Sequence, residues 1–280
     1  MYKIVSLILL TVPFFTLADT STIHLNEKVN SPIRSIIHTD DPTTSTVSKE
    51  EFYQIINDTF SLYNHLVGND GKSIEIGIQD WETPYLSAWA HDNGTSLTVN
   101  YWGGYARVNG TTELSFALTA CHEMGHLVGG EPTHTHRSPQ PMMSAEGQAD
   151  YFAARECLKN YLNHFNLRYE VHLDPKVASM CHTKFKESSS QIDNKLNEEL
   201  CYQVIQAGID ISHVFAHLAR TSVPDPLIPS EQIVKETLFN GYPSIQCRLD
   251  TYISGALSIY PPSKNETEQR PLCWFKSKKI

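Results

Sequence analysis

Two histidines and a glutamate, His122, His126 and Glu123, stand in the segment CHEMGHLVGG, where most other positions of the surrounding run are apolar or small: Leu114, Phe116, Ala117, Leu118, Ala120, Met124, Gly125 and Leu127. Such a run, from about Thr112 to Val128 and stopped by Gly129-Gly130, predicts a largely buried helix. Four residues apart, the two imidazoles project from one helix face and can share a single cation. Glu123, at the next helical position, is turned away from that cation. There its carboxylate can take a proton from metal-bound water instead of binding the metal.

A catalytic zinc usually takes three protein ligands and keeps one position for water. The segment SAEGQADYFAA supplies the third candidate, since Glu146 lies twenty residues beyond His126 and Asp150 follows it by four, on the same face of a helix expected to start near Ser144 and to run past Leu158. One Zn2+ per chain is thus expected on His122, His126 and Glu146. Asp150 is placed to accept the outer N–H of a ligand histidine. The intervening Glu131–Met143 segment, with three prolines and two histidines, predicts a loop. A third histidine three residues after Gly129 would suit a different zinc-site pattern, that of the metzincins, but that position is Pro132. His134 and His136 are displaced from it by two and four residues and are expected to face solvent.

Residues 112–158 resemble the gluzincin zinc peptidases, the thermolysin-like group, in which HExxH and a downstream E-x-x-x-D on a second helix form the site. The resemblance implies the same ligands, Glu123 as base and Asp150 as orienting group. A narrower likeness is to the CAAX-prenyl-protease-like zinc peptidases: Ala149-Asp150 and Ala153 match that pattern, while Tyr242-Pro243 stands where His-Pro would be, with Arg248 following. That likeness implies Tyr242 or Arg248 as a stabiliser of the oxyanion. His213, His217 and Tyr252 are further candidates for that role, the two histidines reading otherwise as packing or surface residues four apart on one face. In gluzincins the peptide lies along a sheet edge, and Ser87-Ala88-Trp89-Ala90 resembles such a segment; Ala88 and Trp89 are its groove candidates, Trp89 reading equally well as a core anchor.

The expected fold class is α+β: a small mixed sheet of about three or more strands, then a mainly helical region carrying the zinc site, a zincin-like arrangement. Ser48 and Glu51 form a capping box before the buried-face pattern Phe52, Ile55, Ile56, Phe60, Tyr63 and Leu66. Strands are expected around Ile74, Ile76 and Ile78, over Leu86–Ala90 and over Ser96–Tyr101, with turns at Asp92-Asn93-Gly94, Gly103-Gly104 and Asn109-Gly110. Later helices are expected at about Ser190–Ala207, Asp210–Arg220 and Arg248–Leu257, with SVPDPLIPS between them as a surface loop.

Residues 1–18 read as a signal peptide: Lys3, an apolar run from Ile4 to Phe15, and small Ala18 before Asp19. Residues 19–46 read as an extended lead-in or short pro-segment, and 47–280 as one domain. No membrane span is expected after removal of the leader. The expected locations are therefore the extracellular space or a periplasm, and the expected state is a monomer. Six cysteines agree with export. Cys247 with Cys273 is the favoured pair, with others drawn from Cys157, Cys181 and Cys201; Cys121 is read as either a buried thiol or half of a bridge. Four N-x-T sequons lie at Asn57, Asn93, Asn109 and Asn265.

Against 31 acidic residues the chain has 22 basic ones, a formal net charge of -9, which disfavours nucleic acid. The expected partner is a peptide or protein substrate, and the expected activity that of a secreted zinc-dependent endopeptidase. The competing readings are an inactive zinc-holding binding or chaperone-like protein, which would have no need of Glu123, and a zinc hydrolase acting on another bond.

Overall fold

Ser48 and Glu51 close the capping box that begins helix α1 (Lys49–Tyr63), each side chain bonding the other residue's backbone N–H. Two donors that a helix start leaves unpaired are thereby satisfied. The computed structural model describes residues 21–22, 45–68, 71–134, 143–186, 193–262 and 269–277. The expected leader 1–18, most of the expected lead-in, His136 and Asn265 lie outside the described residues. Phe52, Ile55, Ile56 and Tyr63 form the buried face of α1. Phe52 stacks on Phe116 of α3 (Glu113–Val128), their ring centroids 5.4 Å apart.

Three strands of the sheet lie between these helices in sequence. β2 (Ile74–Asp80) pairs in parallel with β4 (Leu97–Trp102), and β3 (Ala88–Asp92) pairs antiparallel with β4, so the sheet is mixed. A two-residue strand, β1 (Ser21–Thr22), pairs antiparallel with the outer side of β3, giving the order β1-β3-β4-β2. The β3–β4 hairpin turns at Asp92-Asn93-Gly94 as expected. Gly94 takes φ 96° there, and the Asn93 side-chain oxygen accepts the backbone N–H groups of Thr95 and Ser96.

Three local expectations change. β3 begins at Ala88 rather than Leu86, because residues 83–85 are held against the short helix α2 (Gly103–Ala106): the N–H of Gly104 bonds the Thr83 carbonyl, and a Cβ on Gly104 would lie 2.2 Å from the Pro84 oxygen. The Gly103-Gly104 pair thus permits close approach of the backbone and starts a helical turn. The two helices expected on either side of Gly208 are one, α7 (Asn194–Ala219). Gly208 lies under Tyr252 of α8 (Ile245–Ala256), where a Cβ would meet the Tyr252 Cβ at 2.7 Å, so it serves helix packing rather than helix ending. α6 (Pro175–Lys186) was not among the expected helices.

The glutamate-bearing helix runs continuously as α4 (Glu146–Phe152), a π-helical turn (Ala153–Cys157) and α5 (Leu158–His164). A main buried cluster draws on α1, the sheet, α3, the π turn and α5 to α8; a second groups Tyr151, Cys247, Cys273 and Trp274 beneath α4. Three disulfides link Cys121 to Cys157, Cys181 to Cys201 and Cys247 to Cys273. The favoured Cys247–Cys273 pair is present, and Cys121 is half of a bridge rather than a free thiol. That bridge joins α3 to the π turn behind the metal-ligand candidates. No helix among the described residues is long and apolar enough to cross a membrane.

Gly125, between the two histidines of α3, sets how closely α3 and α4 approach: a Cβ there would sit 2.9 Å from the Ala149 carbonyl oxygen and 3.0 Å from its Cα. Helix propensity alone would favour Ala by about 1 kcal/mol. The backbone clash outweighs it, and Gly125→Ala is expected to destabilise the fold by about 1–3 kcal/mol. Denaturant midpoints at equal m-value measure this; a midpoint raised in the variant would mean that the helices part without cost.

Candidate metal centre

Helix α3 starts at Thr112, whose hydroxyl accepts the Ser115 N–H and donates to Asp210 of α7. This cap and fourteen buried residues along α3 drive the helix through the protein with His122, Glu123 and His126 all within 2% exposure. Its end is tied to the start of α4. The Ser144 N–H bonds the His126 carbonyl, the Ala145 N–H bonds that of Pro132, and the Ser144 hydroxyl bonds that of Gly130. Gln148 adds a bond to the Gly129 carbonyl. These bonds, with the close approach at Gly125, bring Glu146 across to the histidines.

The three ligand candidates converge. The Nε2 atoms of His122 and His126 are 3.1 Å apart, and Glu146 Oε2 is 3.3 Å from the first and 3.7 Å from the second. Atoms bound tetrahedrally at about 2.0–2.2 Å from one ion stand about 3.3–3.6 Å apart, so the set fits a single small cation. It is the one group of metal-ligating side chains of this kind among the described residues. Two imidazoles and one carboxylate suit a borderline ion.

The surrounding groups orient these ligands. His126 donates its Nδ1–H to the Ser144 carbonyl at 2.8 Å, which turns Nε2 to the cation position. His122 Nδ1 stands 2.8 Å from Asp150 Oδ1. Asp150 is in turn held by Arg248, whose Nε and Nη2 bond its two oxygens at 2.8 and 2.7 Å, and by the Tyr252 hydroxyl at 2.8 Å. Arg248 also lies over the Phe215 ring, 4.6 Å from its centroid.

Burial and charge pull these groups in different directions. Burial drives His126 down to about 4. It would lower His122 as well, but the Asp150 carboxylate, with help from Glu146, overrides it and raises that histidine to about 10. Burial raises Asp150 and Glu146 too; Arg248 and His122 nevertheless hold Asp150 well below the carboxylate range, and the two histidines lower Glu146. For Glu123 burial wins: reinforced by the Glu146 charge, it outweighs the opposing charges of His122 and Arg248 and pushes the carboxyl up to about 8. Neither Glu123 oxygen makes a hydrogen bond of ordinary geometry among the described residues, although the Ala90 amide is near enough to favour its charge. A buried carboxylate of this kind is costly unless it serves a proton or a bound group.

The other sequence candidates fall in different places. Arg248 is committed to Asp150 behind His122, so the geometry does not support it as an oxyanion group, and Tyr252 is committed to the same carboxylate. His213 and His217 are exposed on α7, in keeping with surface residues. Tyr242 is half-buried on the loop before α8. In β3, Ala88 and Ala90 are fully buried toward α3, and Trp89 faces the other side, edge-on to Trp102 at 4.7 Å.

The structure adds a residue that spacing did not single out. His134, expected to face solvent, lies nearly parallel to His126, the ring centroids 6.2 Å apart and the planes 22° from one another. No periodic signal in the proline-rich loop could have placed it there; the pairing of Thr133 with Ser144 does so. In comparisons with known proteins, no family model matches the chain, no curated protein matches it and no solved structure matches it.

Proposed function

We propose that the chain is an exported, zinc-dependent endopeptidase of the gluzincin type, a zincin-like fold in which His122, His126 and Glu146 hold the metal and Glu123 is the general base. One observation carries this reading: three buried ligand atoms within 3.7 Å of one another stand beside a buried glutamate that makes no hydrogen bond of ordinary geometry among the described residues. A purely structural metal site has no use for that fourth group. Zinc in such a site supplies a water of pKa about 7 and polarises the scissile carbonyl.

The chain's own residues do the remainder. Glu123, as the carboxylate, takes one proton from the attacking water and passes it to the leaving amine. Asp150 and the Ser144 carbonyl keep the two imidazoles in the orientation that presents Nε2. A peptide adding by main-chain bonds to β3 would run along the side that Ser21–Thr22 pairs, past Ala90 and so past Glu123. Three disulfides agree with an oxidising, exported setting.

The test is metal content and cleavage together. Purified wild type is expected to hold one zinc and to cleave denatured casein, to lose activity to a chelator and to regain it with added zinc. Glu146→Ala is expected to lose most of the metal, because two histidines alone bind it weakly. A metal-loaded wild type that cleaves no peptide in a broad panel would overturn the peptidase reading; absence of any bound transition metal would overturn the site.

A further inference from the structure

His134 is built into the same backbone frame as the ligands. Its N–H bonds the Met143 carbonyl at 2.9 Å, one residue before Ser144, whose own carbonyl orients His126. Thr133 and Ser144 form an antiparallel bridge, and Glu131 caps the segment by accepting the Thr133 N–H. Its ring is fixed at the far side as well: Nδ1 lies 3.3 Å from the Asn240 side-chain oxygen, which can only accept, so Nδ1 carries the proton. The other ring nitrogen, Nε2, then offers a lone pair. It is buried and has no hydrogen-bond partner among the described residues. Leaving such an atom unmatched costs about 1–3 kcal/mol, which a bound donor would recover.

We propose, on the reading that His122, His126 and Glu146 hold a metal, that His134 is a further catalytic residue: its Nε2 accepts a hydrogen bond from the water at the metal's open position. A metal-bound water has two O–H groups. With a metal bound, one would face Glu123, which would take that proton as the oxygen attacks the carbonyl carbon; the other would point to His134 and stay on the oxygen. The new C–O bond would form as the carbonyl π pair moves to its oxygen; that pair would then return as the C–N bond breaks, and the amine nitrogen would take the proton from Glu123. His134 gains and loses no proton; it fixes the rotation of the water, so that the lone pair meets the substrate. A misdirected nucleophile costs about 10²-fold in rate.

Two measurements on the full-length mature protein test this. In the first, long-range 1H–15N spectra of the ring nitrogens are recorded metal-free and zinc-loaded. The Nδ1-protonated form is expected in both states, with the His134 Nε2 resonance moving upfield on loading as it accepts a hydrogen bond. An unmoved Nε2, or a proton on it in the loaded protein, overturns the proposal whether or not any peptide is cleaved. In the second, His134→Ala is expected to keep the zinc stoichiometry and the thermal midpoint of wild type, to lower kcat by about 10²-fold and to leave KM nearly unchanged; His134→Gln, which returns an acceptor oxygen near the same point, is expected to recover part of kcat. Loss of zinc from His134→Ala would make it a metal ligand, and an unchanged kcat would make it a packing residue. Either overturns the proposal. A wild type without cleavage but with the Nε2 shift would remove the peptidase reading and leave the water contact standing.

Discussion

Glu123→Gln is expected to keep its metal and to lower peptide cleavage by about 10²–10⁴-fold, the range in which a positioned general base acts. The amide matches the carboxylate in size, so the pocket behind α3 stays filled and the three ligand atoms stay where they are. What disappears is the ability to take a proton at an operating pH near neutrality. Burial raises Glu123 to about 8 in the metal-free site, and a dication on His122, His126 and Glu146 would favour the carboxylate, the form that accepts the proton. Zinc per chain by elemental analysis, beside kcat/KM on one fluorogenic peptide, reads the two effects separately. A variant with near wild-type turnover would remove Glu123 from the chemistry, and one that loses its zinc would make the residue structural.

Removing Arg248 is expected to produce the largest loss of stability. Arg248→Met leaves Asp150, fully buried, with His122 and the Tyr252 hydroxyl as its remaining side-chain partners among the described residues. Breaking a buried ion pair from one side costs about 3–5 kcal/mol, because the charge left behind cannot reach water. Adding Asp150→Asn to Arg248→Met removes that charge, so the double variant is expected to be more stable than Arg248→Met alone. Urea midpoints of the metal-free proteins measure both. Should the single variant unfold at the wild-type midpoint, Arg248 is not what neutralises Asp150. The pairing also bears on the oxyanion role expected for Arg248, 98 residues from Asp150 in the chain: its fork is spent on the carboxylate behind His122.

Local patterns account for much of the fold. The Ser48–Glu51 capping box, the alternation through Ile74, Ile76 and Ile78, the turn at Asn93-Gly94 and the apolar run ending at Gly129 each state their structure within one or two turns of chain. Glycine was the weak sign. Gly208 reads as a break in a helix and Gly103-Gly104 as a turn, yet each lies where another element presses close, against Tyr252 and Pro84. Whether a glycine ends a helix or admits a neighbour depends on a partner far away in sequence, and no window of residues contains it. Cysteine pairing divides in the same way: only the meeting of α3 with the π turn decides that Cys121 bonds Cys157.

For the site, helix periodicity was enough to put His122 and His126 on one face, to turn Glu123 aside and to align Asp150 with Glu146, since spacing along a helix converts directly into direction. Tertiary structure alone decided how those directions meet: the 3.1–3.7 Å triangle of ligand atoms, the Arg248 and Tyr252 bonds to Asp150, and the return of His134 onto His126. The physical reason is that, apart from the His122–His126 edge of the triangle, these contacts join residues about 20 to 100 apart in the chain or lie in a loop with no period. Their positions follow from the packing of α3, α4 and α8 and from the backbone pairing between residues 130–134 and 143–145.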